Sequence, residues 1–205
     1  MELLVATTNA GKLAEIEAVL KDLPVQLLSL SALKNRPKVV EDGKSYEENA
    51  LKKGRTLADF SGYLTLADDS GLEVDALDGA PGIHSARYGG EDADDARNNE
   101  KLLRALAALP QEKRAARFVC AVALCCPSAS GGRGWIFRGE CEGWIAFEPR
   151  GENGFGYDPL FFYPPLSKTF GEIDRVTKER HSHRGKALAK LKQELPSLLP
   201  AIANP

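Results

Sequence analysis

The chain has 205 residues, of which 43% are hydrophobic and 27% charged, a globular composition that excludes disorder. A net charge of −2 leaves no basic field for a nucleic acid polymer, and no apolar run is long enough to span a bilayer as a helix. The four cysteines, Cys120, Cys125, Cys126 and Cys141, show no C-x-x-C spacing and no histidine among them, which argues against structural zinc or a disulfide framework and for a reducing cytoplasm.

Residues 2–6 are short and apolar and lack the basic start of a signal peptide, so they read as a first strand. Thr7, Thr8, Asn9, Ala10, Gly11 and Lys12 follow, and then Leu13, Ile16, Val19, Leu20 and Leu23 recur at helical spacing until Pro24. A polar turn entering a helix N-terminus and carrying a lysine favours an anion, phosphate above all. It is not a Walker A loop, because Ala6 and Leu13 stand where that motif needs glycine and a hydroxyl. Simple capping of the helix by Thr8 or Asn9 accounts for the same residues.

Residues 25–30 read as a second strand and residues 31–44 as a polar connection ending in Glu41-Asp42-Gly43. Ser45 and Glu48 have capping-box spacing, which gives Glu48 a structural task. Glu41 and Lys53 have none, and the helical pattern of Tyr46, Ala50, Leu57 and Phe60 leaves Lys53 free to turn toward a neighbouring element; a solvated helix face explains such a lysine as well.

Residues 64–67 and 72–77 read as strands flanking Asp68-Asp69-Ser70-Gly71. Two adjacent carboxylates at a strand end repel each other and call for solvent or a cation, at the place where α/β proteins keep their ligands. Taken alone, the stretch is read equally well as a polar turn. Residues 79–90, rich in Gly and Pro and carrying His84, Ser85 and Arg87, are expected to be irregular.

A third helix is expected from Asp92 to Leu109, with Leu102, Leu103, Leu106 and Leu109 buried, and Pro110 ends it. Residues 115–126 and 135–147 are expected to form a long antiparallel hairpin. Gly154-Phe155-Gly156-Tyr157-Asp158 exposes an aromatic face between glycines, where a base would stack; a glycine-rich turn around a core Phe is the plain alternative. The tail offers Lys178, His183 and Arg184, then a last helix with Ala187, Leu188, Leu191 and Leu195 on one face and Ser182 as its cap. No repeat and no linker appears, so residues 1–205 are expected to form a single domain. The expected fold is α/β, with a mixed central sheet, flanking helices and two lobes around a central cleft.

Together the residues supply an anion-accepting turn, carboxylates for a hard cation at Glu41, Asp68 and Asp69, a stacking face at Phe155, and donors at Lys178, His183 and Arg184. That inventory fits a nucleoside polyphosphate with Mg²⁺, which binds through one or two carboxylates and substrate phosphates. With no partnered Ser or Cys nucleophile apparent, hydrolysis by activated water is the economical reaction.

The stretches at residues 7–12, 67–72, 79–88, 154–159 and 182–185 resemble, in order, those of the inosine/xanthosine triphosphate pyrophosphatase family. Glu47-Glu48-Asn49-Ala50 with Lys53 resembles the family's second helix. Thr8 stands where Gly or Asn is common, and His84 where an aromatic or aliphatic residue is common. The resemblance implies a homodimeric enzyme that cleaves ITP, dITP and XTP to the monophosphate and pyrophosphate with Mg²⁺. It implies Asp69 as general base, Glu41 and Asp69 as metal ligands, and Lys53 as an assisting group. It implies Thr7, Thr8, Asn9, Ala10, Gly11 and Lys12 at the phosphates. Ser70, Phe155, Gly156, Tyr157, Asp158, Lys178, His183 and Arg184 would contact substrate, with His183 and Arg184 donating to the 6-oxo group. A relative preferring a modified pyrimidine, and a nucleotide-binding regulator without turnover, are the rival readings.

Overall fold

A computed structural model describes residues 1–91 and 94–203. Among the described residues seven strands form one sheet in the order β2-β1-β3-β4-β5-β6-β7. They are β1 (Glu2–Val5), β2 (Gln26–Ser29), β3 (Leu64–Val74), β4 (Ala115–Cys125), β5 (Gly134–Ile145), β6 (Phe161–Tyr163) and β7 (Lys168–Thr169). The helices are α1 (Ala10–Leu20), α2 (Tyr46–Ser61), α3 (Asp95–Ala105), α4 (Arg175–His181) and α5 (His183–Ala203). The sheet is mixed: β1 runs parallel to β2 and β3, whereas β6 is antiparallel to β5 and β7. Strands β4 and β5 are neighbours, and the turn between them closes with the Cys126 N–H on the Arg133 carbonyl at 2.8 Å. Among the described residues no helix is long and apolar enough to cross a membrane.

The chain divides into two compact units, Met1–Asp69 with Cys120–Gly139 and Arg184–Pro205, and Ser70–Val119 with Glu140–His183. The boundaries fall inside β3, β4 and β5 and between His183 and Arg184, so no linker marks them.

In the first unit the sheet carries a core on each face. Leu3, Val5, Leu64 and Leu66 meet Ile16 and Leu20 of α1 and Leu188, Leu191 and Leu195 of α5. Leu4, Ala6 and Ala67 meet Leu57 of α2. This is the period-2 alternation of strands buried on both faces. In the second unit Leu102 of α3 and Leu106, just past its end, pack with Phe118, Cys141, Ile145, Phe161 and Phe170. All four cysteines are buried, and none forms a disulfide. Burial pushes the Cys120 thiol up to about 12 and the Cys125 thiol up to about 11.

Several expectations are corrected. Asp68-Asp69-Ser70-Gly71 is not a turn: β3 continues through it from Leu64 to Val74, and residues 75–77 are 3₁₀ helix rather than strand. Part of the Gly/Pro-rich segment is regular, with a 3₁₀ helix over Gly82–Arg87 after a cis Ala80–Pro81 bond. The third helix spans Asp95–Ala105 with Asp94 as its cap; Asp92, its expected start, lies outside the described residues. A separate helix, α4, precedes the last one and carries Lys178. Phe60 is exposed rather than on the buried stripe of α2. Ser45 caps α2 by accepting from the Glu48 N–H, but Glu48 accepts from the Lys44 N–H, one residue before the cap.

Candidate active site

The first cluster grows from the turn between β1 and α1. Asn9 caps α1: its Oδ1 accepts the Lys12 N–H at 3.0 Å, and its own N–H donates to Thr7 Oγ1 at 3.2 Å. Thr8, Asn9 and Ala10 are exposed, Thr7 and Gly11 half-buried, and no acidic residue stands in the first turn of α1. The positive end of the helix dipole is thus presented to solvent. The side chain of Lys12 turns to Asp68, 2.9 Å away.

Asp68 and Asp69 follow the alternation of β3. Leu66 faces α1 and α5, and Asp68, two residues on, faces the same way; Ala67 faces α2, and Asp69 does too. Asp68 meets Lys12 and Arg184, whose Nε and Nη2 lie 3.3 and 3.2 Å from its Oδ2. Nη1 of Arg184 binds Glu15 Oε2 at 2.5 Å. Burial alone would raise the Asp68 carboxyl, but Lys12, Arg184 and Lys53 reverse that and hold it well below the carboxylate range. The Arg184 guanidinium, penalised by burial, is in turn held charged by Asp68 and Glu15.

Asp69 has a different setting. Its Oδ2 accepts from Asn49 Nδ2 at 3.0 Å. Burial raises its pKa and the Glu41 charge adds to this, against the Asn49 hydrogen bond and the charges of Lys12 and Lys53, and the net shift is upward. Lys53 Nζ lies 2.6 Å from Glu41 Oε1. Burial works against the charge of Lys53, but Asp68, Glu41 and Asp69 outweigh it and raise its pKa. The first unit therefore gathers Lys12, Lys53, Glu41, Asp68, Asp69 and Arg184 from five separate stretches. Ser70 follows Asp69 on β3 and is half-buried.

The second cluster is built on the loop between β5 and β6. Asp158, buried, accepts at Oδ2 from Lys178 Nζ at 2.5 Å and from the Phe155 N–H at 2.8 Å. Lys178 Nζ lies 4.5 Å from the centre of the Phe155 ring, within cation–π range. Gly154 has φ +78°, and a Cβ there would run into the Asp158 carboxylate. The Tyr157 hydroxyl donates to the Ser85 carbonyl at 2.8 Å. Ser85 Oγ accepts the Leu72 N–H at 2.8 Å, so the 82–87 segment is stitched to β3. His183 stacks on Phe118 at 4.6 Å between ring centres. His183 and Arg184, adjacent in sequence, thus serve different neighbours: an aromatic ring for one, two carboxylates for the other.

Sequence reasoning missed four residues. Glu15 is the buried partner of Arg184, and only its place beside Ile16 in the α1 stripe hints at this. Asn49 holds Asp69, and its one signal is the Glu47-Glu48-Asn49-Ala50 resemblance. Asp95 and Asn99, one turn apart on α3, take both polar groups of the Gly156 backbone: Asp95 Oδ2 accepts its N–H at 2.6 Å, and Asn99 Nδ2 donates to its carbonyl at 2.9 Å. Pairings 61 and 57 residues apart in sequence leave no local trace.

The fold and these clusters define a mixed α/β protein with paired carboxylates and cations at a sheet and an aromatic–lysine loop beside α3. The model of the Ham1 family matches residues 3–194. A protein of Geobacter sulfurreducens named dITP/XTP pyrophosphatase is 54% identical over 193 residues, covering 94% of this chain and 96% of that one. One of the same name from Syntrophobacter fumaroxidans is 52% identical over 197 residues, covering 96% and 83%. The solved structure of a HAM1 protein from Coxiella burnetii superposes with a TM-score of 0.87 at 41% identity, covering 96% of this chain and 99% of that one. The chain belongs to the Ham1 family.

Proposed function

We propose that this protein is a nucleoside triphosphate pyrophosphatase of the cytoplasm, active as a homodimer, that hydrolyses ITP, dITP and XTP to the monophosphate and pyrophosphate and so clears them from the nucleotide pool. The names of its relatives support the reaction class. The observation that carries the chemistry is the contrast on β3: Asp68 is neutralised by two cations, whereas Asp69 is held by a neutral amide with its pKa raised. Neighbouring carboxylates whose environments push their pKa values apart mark a division of labour between a fixed anion and a base.

The donor set suits a hard divalent cation. Glu41 and Asp69 supply oxygen only, and the repulsion that Glu41 exerts on Asp69 is what a cation between them would relieve. Among the described residues no group of three or more His, Cys, Asp or Glu forms a cage. A Mg²⁺ here would lean on two carboxylates, with phosphate oxygens and water completing its shell. When bound, it would withdraw charge from the phosphate oxygens as they become more negative.

The chain's own residues do the rest. The turn from Thr7 to Lys12 receives phosphate at the N-terminus of α1. Asp69 takes a proton from the attacking water as its oxygen bonds to phosphorus. The α–β anhydride bond breaks and pyrophosphate leaves, with Lys12 and Lys53 countering the charge of the oxygens. Phe155 stacks on the base, and Gly156, Tyr157 and Asp158 keep the loop against it, Asp158 also aiming Lys178. Ser70 contacts the nucleotide. His183 and Arg184 donate to the 6-oxo group. The engagement of Arg184 with Glu15 and Asp68 gives it a second task, holding Asp68 and through it Lys12. An adenine amino group at position 6 would set donor against donor, which costs more than a lost contact.

The test is pyrophosphate release from ITP, XTP, GTP and ATP, with Mg²⁺ and with chelator. Release from ITP and XTP alone, abolished by chelator, is expected. Orthophosphate as product, or equal rates on all four, would refute the reaction or the base selection.

A further inference from the structure

We propose that Asn49 is a positioning residue of the hydrolytic centre, which clasps the segment bearing Glu41 to Asp69 through the two ends of one side-chain amide. The proposal rests on the reading of Asp69 as the base.

Asn49 stands in the first turn of α2 and is 1% exposed. Its Oδ1 accepts the Gly43 N–H at 2.8 Å, and its Nδ2 donates to Asp69 Oδ2 at 3.0 Å. The orientation of the amide is dictated by its partners. A backbone N–H can only donate, so the oxygen must face Gly43 and the nitrogen must face Asp69. The carboxylate is thereby oriented at one oxygen by a group without net charge. The adjacent Asp68 is fixed instead by Lys12 and Arg184.

The other end of the clasp is tight. A Cβ on Gly43 would lie 2.7 Å from Asn49 Oδ1 and 2.9 Å from Glu48 Cβ, so residue 43 is pressed against α2 where only glycine fits. The next N–H, of Lys44, donates to Glu48 Oε2 at 2.7 Å. Two residues before Gly43, Glu41 binds Lys53, one helical turn beyond Asn49 on the same helix. Helix α2 therefore sets Glu41 at two points, and one of them, Asn49, also sets Asp69.

The test compares Asn49→Ala, Gly43→Ala and Asp69→Asn with the wild type. It reads kcat and KM for ITP per folded enzyme, the melting temperature, and hydrogen exchange at the Gly43 amide without nucleotide. Loss of an orienting partner behind a reactive group typically costs about 10- to 100-fold in activity. Asn49→Ala is expected to lose that in kcat with KM changed less than about threefold, and to expose the Gly43 amide to exchange. Gly43→Ala keeps both side chains and is expected to lose kcat in the same sense, which covers the case in which Asn49→Ala does not fold. A kcat per folded enzyme that is unchanged in either variant while Asp69→Asn is crippled would overturn the clasp and leave the base assignment standing. Full turnover in Asp69→Asn would remove the base assignment and the clasp with it.

Discussion

Asp68 and Asp69 are joined by one peptide bond and face opposite sides of β3: Asp68 meets Lys12 at 2.9 Å and Arg184 at 3.2 Å on the α1/α5 side, and Asp69 meets Asn49 at 3.0 Å on the α2 side. Adjacent like charges would destabilise a turn. A strand separates them by its own geometry, so each has its own hydrogen-bond partners while Lys12 and Lys53 act on both.

Asp69→Asn keeps the shape of the side chain and removes its capacity to take a proton. Turnover is expected to fall roughly 100-fold or more, the scale of a lost general base. Because burial and Glu41 raise the Asp69 pKa, its ionisation costs stability as pH rises from the unfolded-state value to the folded-state value. The neutral variant should therefore melt at the same temperature as the wild type at pH 7, or higher. A drop in melting temperature alongside intact turnover would contradict both halves.

Asp68→Asn should behave in the opposite way. It strips the buried Arg184 and Lys12 of their shared anion, and breaking a buried pair costs about 3–5 kcal/mol. The depressed pKa of Asp68 means that its stabilisation is present above the unfolded-state value, near 3.8, and is lost as pH falls through the folded-state value. Wild-type melting temperature should decline over that acid range. The variant should start lower at neutral pH and decline less. Parallel melting curves for the two proteins would show that Asp68 carries none of the acid sensitivity.

Gly154→Ala should damage substrate binding more than the chemical step. The new Cβ meets the Asp158 carboxylate that holds both the Phe155 N–H and Lys178. KM for ITP is expected to rise about tenfold, the equivalent of roughly 1.4 kcal/mol, with a smaller change in kcat. Asn tolerates positive φ better than Ala but carries the same Cβ, so Gly154→Asn should be no better. Recovery with Asn would trace the defect to backbone strain instead of the clash.

Asn99→Ala frees the Gly156 carbonyl from α3 while Asp95 still holds its N–H. One hydrogen bond is worth about 1 kcal/mol, so KM should rise roughly fivefold. Pairing the variant with Asp95→Ala should give a defect larger than either alone, since the two act on one peptide group. Kinetics indistinguishable from wild type in the double variant would show that α3 does not set the loop.

The parts of the molecule legible in the sequence are those whose signal is local. The α1 stripe of Ile16 and Leu20, the Ser45 cap, Leu102 of α3 and the buried run of β4 each reflect a short-range period or a cap, and the structure has them, whereas α3 ends before Leu106 and Leu103 and Leu109 are only half-buried. The candidate residues are legible too, because an anion turn, paired acids and a glycine-flanked aromatic are recognisable by composition. The partners of those residues were not. Asp-Asp-Ser-Gly carries turn chemistry, yet burial on both faces of a central strand and cations supplied from α1 and α5 overrode that local preference. Only the fold brings Arg184 to Glu15 and Asp68, 169 and 116 residues away. Only the fold lets Asn49 join Gly43 to Asp69, and lets α3 take hold of Gly156. Residue types are written in the chain, but charge states and orientations depend on which groups packing places within a few ångströms, and sequence spacing does not encode that.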